Sequence, residues 1–366
     1  MNRLLVMSVV HQADDPRVRL RTVGVLAQKF DVRYATRPPG PTDRTDHTWV
    51  GLRGQRLPRH VAALREAFRG DVRMLSLHDP ELIPLGLLAR VLRRIPVVID
   101  IHEDVPSQLR TKVWLPGTLR GPMALTAATV LRIAERWLAI TLAEPGYARL
   151  FRRPHPILPN YPLVDRLPPL APASDDIVYV GDVTEARGAI FAIEVVARMR
   201  TRHRLRLIGR CAYPLKLRLQ ALAAERGVDL DLPGFLTHAE AMQAVSVAAA
   251  GLCPLEDQPN YRYSLPTKVL EYLALGVPVV ASDLPGTADL VEGRPGVQLV
   301  GPRDIEAWAE ALERAVSDPR WREQAVAGTD DVREHFTWPA HRLLETYIAL
   351  WEPPRRRILP RAGGIV

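Results

Sequence analysis

The chain has 366 residues, a length that favours two domains over one. At 47% hydrophobic and 25% charged residues, its composition is that of an ordinary globular protein. The net charge of +8 is carried almost wholly by arginine, which suits phosphate-bearing ligands or anionic lipid surfaces; basic–aromatic interleaving and zinc-finger spacing are lacking, so nucleic acid is not an expected partner.

The apolar run Leu4–Val10 ends in His-Gln-Ala-Asp-Asp rather than in the small residues of a cleavage site, so it reads as a first buried strand. Asp15 is placed to cap a helix that has Pro16 at its first position and reaches about Phe30. Strands are expected at Val32–Ala35, Met74–Leu77, Pro96–Ile101 and Leu138–Thr141, with helices from about Pro80 to Arg94 and over 120–137. From Arg153 to Asp176 repeated prolines forbid a helix and stiffen the chain, which marks an interdomain linker. A second alternation follows, with strands at Ile177–Gly181, Leu205–Gly209, Val228–Leu232, Gly251–Pro254, Val277–Ser282 and Val297–Val300. Helices fit at about 188–200, 214–226, 238–247, 264–275 and 286–292, and again at 304–317 and 338–351. Residues 352–366 have no period and read as a loose basic tail.

Short apolar runs alternating with helices are the signature of parallel α/β architecture. Two such halves about a Pro-rich hinge imply two Rossmann-like domains facing each other across a cleft, over residues 1–160 and 177–335 with a linker at 161–176. No apolar segment is long enough to span a bilayer. Cys211 and Cys253 lie far apart and argue against a disulfide framework, so a cytoplasmic location is expected.

The segment Tyr263–Ser282 says most about function. It reads as a loop, a short helix opened by Ser264 and Pro266, a stop at Gly276 and an apolar strand. Lys268 and Glu271, three residues apart near the helix start, share one face. Free amides and the helix dipole attract anions there, a lysine strengthens a phosphate site, and a carboxylate one turn deeper accepts hydrogen bonds from sugar hydroxyls. That combination fits a nucleotide sugar. A solvated lysine and a dipole-satisfying glutamate are the plain alternatives; lysine is scarce in this arginine-rich chain, which favours the functional reading.

Further segments stand in a telling order: Asp15-Pro-Arg-Val18, His78-Asp-Pro-Glu81, Asp100-Ile-His-Glu103, Leu158–Pro162, Tyr179–Gly188, Pro266–Ser282 and Phe336-Thr-Trp338. Together they resemble retaining glycosyltransferases of the GT-B fold, family 4 type (glycosyl transferases group 1), from His11 to about Trp351. The resemblance implies a last helix, within 336–351, that crosses back to the first domain. It implies a nucleoside diphosphate sugar as co-substrate, with no tightly bound cofactor and no metal. Lys268 and Arg187 would stabilise the departing diphosphate, and Glu271 would hold the ribose. Gly181, Tyr263, Ser264, Leu265, Pro266 and Thr267 would complete the donor site, with His102 touching the transferred sugar or the acceptor. His11, Asp15 and Glu103 are acceptor-side candidates. Attack would come from the leaving-group side, the diphosphate taking the acceptor proton.

The chain also departs from the family pattern. Many members carry a glutamate where Tyr263 stands, a basic residue where Asp182 follows Gly181, and a double glycine in the first loop. The plain alternatives are an exposed Arg187, a structural His102, an Asp15 that only caps its helix, a Gly181 that only ends a strand and an Asn160 that only makes a turn. The acceptor is open: a lipid-linked glycan, a polysaccharide or a small molecule. Residues 91–94 and 109–120 mix basic and apolar side chains and would suit peripheral contact with the inner face of an anionic membrane, although a solvated helix face and a loop are the plainer reading. A GT-B-fold nucleotide-sugar epimerase, or a binding or scaffold protein with a degenerate donor site, are the alternative functions; an epimerase needs no acceptor.

Overall fold

A computed structural model describes residues 3–41, 47–111, 115–258 and 261–352. Two parallel sheets of six strands organise the chain. The first contains β1 (Arg3–Gln12), β2 (Asp31–Arg37), β3 (Thr48–Gly51), β4 (Val72–Leu77), β5 (Val97–Ile101) and β6 (Ala139–Leu142), in the order β3-β2-β1-β4-β5-β6. The second contains β7 (Asp176–Val180), β8 (Arg204–Ile208), β9 (Asp229–Gly234), β10 (Ala250–Cys253), β11 (Val279–Ser282) and β12 (Val297–Val300), in the order β12-β11-β10-β7-β8-β9. The two orders are the same. Each reverses direction once, between β1 and β4 and between β7 and β10, which opens a crevice at the carboxyl ends of those strands.

Strand β1 shows why the sheet is parallel and covered on both faces. Leu4, Leu5, Val6 and Met7 are all buried, and successive side chains point to opposite faces. Leu5 and Met7 pack with Leu75, Leu77 and Ile99 under the helices Arg56–Ala67, Ile83–Leu92 and Gly117–Trp137. Leu4 and Val6 pack on the other side with Val18, Met74 and Val98. That second face is closed by Leu343 and Tyr347 from the helix Ala340–Trp351, so the end of the described chain returns to the first sheet. There the Tyr347 hydroxyl lies 2.6 Å from Ser76 Oγ, and the ring of Trp351 meets Phe30. The segment between β6 and β7 is irregular apart from two short 3-10 helices, at Pro145–Leu150 and Val164–Arg166.

Several expectations need correction. The first helix is π-helical over Pro16–Val23 and α-helical only at Gly24–Leu26, so it stops short of Phe30. Asp15 does cap it, accepting from the amides of Arg17 and Val18. The helix of the Tyr263–Ser282 segment begins at Thr267, with Pro266 in the cap position; Ser264 bonds instead to the Tyr261 carbonyl. Strand β3 and the helices Arg56–Ala67, Val105–Thr111, Pro319–Ala327 and Thr329–His335 were not expected. Both cysteines are free, and no helix among the described residues is long and apolar enough to cross a membrane. Of the basic tail, residues 353–366 lie outside the described residues, as do residues 112–114 of the basic–apolar segment.

Candidate functional site

The carboxyl ends of both sheets line one cleft of about 1220 Å³. On the second-sheet wall, β7 ends at Gly181, whose φ of +133° is poor for any residue with a Cβ. A side chain there would come within 3.2 Å of Lys268 Nζ, 3.4 Å of the Tyr179 hydroxyl and 3.6 Å of Arg187 Nη1. The missing Cβ thus leaves a small space ringed by two cations. Lys268 Nζ is buried and has no hydrogen-bond partner among the described residues; its nearest support is the face of Tyr179, 3.6 Å from the ring centroid. Gly188, at φ +81°, lets the loop carrying Arg187 pass against Pro254, where a Cβ would meet the carbonyl oxygen at 2.2 Å. A buried, unpaired ammonium beside a guanidinium is costly unless an anion neutralises it.

Glu271 lies one turn beyond Lys268, buried within the cleft wall. His238 Nε2 is 3.3 Å from it, and Arg21 Nη2 reaches across from the first domain to 3.6 Å. Burial raises the Glu271 pKa, but His238, Arg21 and Lys268 outweigh it and hold the carboxyl below its ordinary value. Arg21 also donates from Nε and Nη2 to the Tyr161 carbonyl, at 3.0 and 2.9 Å, and so ties Glu271 to the segment joining the two sheets.

On the opposite wall, Asp100 at the end of β5 is the centre of a buried polar network. Arg17 grips it with Nε at 2.9 Å and Nη2 at 2.8 Å, and Thr141 donates to it at 2.8 Å. His78 Nδ1 and His102 Nε2 approach the same carboxylate at 3.4 and 3.2 Å. Desolvation opposes the charge on Asp100, yet Arg17 and the two imidazoles hold its pKa well below the usual range. His78 is fully enclosed, and burial pushes its pKa down. His78, Asp100 and His102 are the one group of metal-ligand type among the described residues, but the Arg17 guanidinium already occupies Asp100, and a dication would sit against that charge. A second pair lies beside it: His11 Nδ1 is 2.8 Å from Asp15, and the His11 ring stands 5.7 Å from that of His102. Burial disfavours the imidazolium, but Asp15, Asp79 and Glu103 together push His11 up to about 9, while Asp15 is lowered.

The cleft therefore gathers Gly181, Arg187, Tyr263, Ser264, Leu265, Pro266, Thr267, Lys268 and Glu271 on one side and Asp15, His102 and Glu103 on the other. His11 does not line it; it stands behind Asp15. Asn160 lines the cleft and accepts from Arg17 Nη1 at 2.7 Å, so it does more than make a turn. Sequence reasoning missed four features of the cleft: Arg21, His238, Glu144, and Arg210 stacked 4.8 Å over Phe235. Each is a lone polar or aromatic residue near an element end, without a motif to mark it. Glu144 faces the Leu265 amide from the first domain, and burial pushes its carboxyl up to about 7.

Residues 174–318 match the family Glycosyl transferases group 1. A D-inositol 3-phosphate glycosyltransferase of Stackebrandtia nassauensis is 34% identical over 121 residues, 33% of this chain and 26% of that protein. An alpha-D-kanosaminyltransferase of Streptomyces kanamyceticus is 28% identical over 237 residues, 63% of this chain and 54% of that protein. The chain thus spans about half, or less, of these two curated relatives. Among solved structures, sucrose-phosphate synthase from Thermosynechococcus elongatus superposes with a TM-score of 0.74 at 19% identity, covering 95% of this chain and 98% of that one. Anabaena HepE in complex with UDP-glucose superposes at 0.73 and 14% identity, covering 95% and 99%. Residues 174–318 thus carry the glycosyl transferases group 1 domain, on a chain that has the fold of the GT-B glycosyltransferases.

Proposed function

We propose that this protein is a glycosyltransferase that moves a sugar from a nucleoside diphosphate donor to an acceptor hydroxyl, with retention at the anomeric carbon. The observation that carries the reading is the buried, unpartnered Lys268 Nζ facing Arg187 across the space at Gly181. Both cations lie where the donor diphosphate would sit, and both gain most when the glycosidic bond breaks and charge grows on the leaving oxygen. Glu271 would accept from the ribose hydroxyls, exchanging the long Arg21 contact for them. The HepE complex with UDP-glucose has the same fold, which makes a UDP-sugar the first donor to try.

His102 would approach the transferred sugar from the opposite wall, its ring fixed by Asp100. Glu103, Asp15 and the His11 imidazolium would lie on the acceptor side. The leaving diphosphate would take the acceptor proton, so the enzyme supplies position and charge rather than a nucleophile. Tyr263, 59% exposed and lining the cleft, would shape the sugar subsite.

The test is a thermal-shift panel of nucleoside diphosphates, followed by NMR assignment of the product anomer. One diphosphate should raise Tm, by an amount set by about 2.7 kcal/mol at a hundredfold excess over Kd. The product should keep the donor configuration. No shift with any diphosphate would sink the nucleotide reading, and an inverted product would sink retention.

A further inference from the structure

Glu144 stands just beyond β6, the edge strand of the first sheet, and lines the cleft. The Ala143 amide donates to the Ile101 carbonyl at 2.8 Å, which seats Glu144 beside the end of β5 and close to His102. Tyr147, three residues further on, donates from its hydroxyl to the His102 carbonyl at 3.0 Å and ties the two loops together. Glu144 holds the cap position of the 3-10 helix Pro145–Leu150, where a side-chain oxygen commonly takes a free amide. Its carboxyl makes no such bond. It turns instead towards the Leu265 amide on the opposite wall.

The other first-domain acids that line the cleft are committed elsewhere or open to solvent. Asp14 pairs with Arg19, Asp15 with His11, and Asp104 with Arg149 and Ser107. Glu103 is exposed. Glu144 is half-buried and has no ion pair among the described residues. The two arginines whose charge reaches it, Arg17 and Arg149, already grip Asp100 and Asp104. Burial therefore outweighs them, which is why the carboxyl is pushed up to about 7. Across the cleft, the donor-side segment has no acid between Tyr261 and Lys268, and Glu271 is held by His238 and Arg21.

We infer that Glu144 is a specificity residue for the transferred sugar, its carboxyl accepting from a ring hydroxyl beside His102. The inference rests on the proposed transfer reaction, which brings a sugar into the cleft. Charge sorts the donor between the two walls. A diphosphate suits Lys268 and Arg187 and is repelled by a carboxylate, whereas a neutral sugar offers hydroxyls and suits Glu144. A carboxyl accepts several hydrogen bonds at once, so the Leu265 amide leaves capacity for a hydroxyl. That amide orients the carboxyl from the donor side, and Tyr147 holds its loop from the His102 side. An analogue lacking the hydroxyl leaves such an acceptor unpaired, and contacts of this kind discriminate strongly.

The test is a cycle between residue and hydroxyl. UDP-, GDP- and ADP-linked glucose, mannose, galactose and N-acetylglucosamine are scored by nucleoside diphosphate release, and the best donor is compared with its singly deoxygenated forms. One deoxy donor should lose about tenfold or more in kcat/KM with the wild type. Glu144→Ala should lose as much with the parent donor and nothing further with that deoxy donor. Glu144→Gln, which keeps an acceptor oxygen, should lie between. Both variants should bind the free nucleoside diphosphate as the wild type does. Equal losses on the parent and every deoxy donor, weaker binding of the free diphosphate (the mark of a domain clasp), or unchanged activity of both variants would each overturn the inference and leave the transfer reading standing. Release from no donor by the wild type would overturn both together.

Discussion

Lys268 is held at a cost to the fold. Its Nζ is buried with only the Tyr179 ring beneath it. An unsatisfied buried polar group costs roughly 1–3 kcal/mol, and a charged one more, of which a cation over an aromatic face returns about 0.5–2 kcal/mol, so a net cost remains. Lys268→Met keeps the apolar stem and removes the charge. It is expected to lie within about 1 kcal/mol of the wild type in denaturant melts, or above it, while losing the nucleotide-induced shift. Destabilisation by more than about 2 kcal/mol would show that the lysine is structural.

His11 offers a pH test at the same scale. Its pKa in the folded chain, about 9, is above the ordinary imidazole value because it pairs with Asp15. The pair therefore contributes fully below pH 6.5 and is lost as pH rises through about 9. Melting temperature should fall over that window in the wild type and fall less in His11→Gln. Equal slopes would contradict the pairing.

Among the elements, buried parallel strands were the most legible. β1, β5 and β7 are covered on both faces and hold the apolar runs Leu4–Met7, Val97–Ile99 and Ile177–Tyr179, and β4 adds Met74 and Leu75. Strand β3 escaped because it is a four-residue edge strand with no fully buried residue. The helix Arg56–Ala67 escaped because its buried residues are two alanines, Ala63 and Ala67, and its cap makes no side-chain bond. In the site, Lys268 and Glu271 could be read together because one helix turn separates them. The Asp100 network could not, since its partners Arg17, His78 and Thr141 come from distant parts of the sequence and meet only through the strand order. The returning helix was legible through the family pattern alone, yet its anchor is physical: Leu343 and Tyr347 fill the first domain's second core. Leu343→Ala should destabilise the chain by about 2–5 kcal/mol, measured by urea unfolding. A change below 1 kcal/mol would mean that the helix is loosely held.

At the scale of the whole molecule, contacts that bridge the cleft include Arg21 to Glu271 and Glu144 to the backbone at Leu265. Both run from the first domain to the donor-side segment, and Arg21 also holds the Tyr161 carbonyl in the connecting chain. If Glu271 exchanges Arg21 for the donor's ribose, as proposed, nucleotide binding would be coupled to the relative position of the domains through it. One wall of the cleft brings Lys268 and Arg187, the other His102 with Asp15 and Glu103. The most direct measurement is nucleoside diphosphate release from a panel of nucleotide sugars, UDP-sugars first, by the wild type and by Lys268→Met. The structure predicts release with at least one donor, reduced by about a hundredfold or more in the folded variant. Release from no donor, or equal release by both proteins, would contradict it.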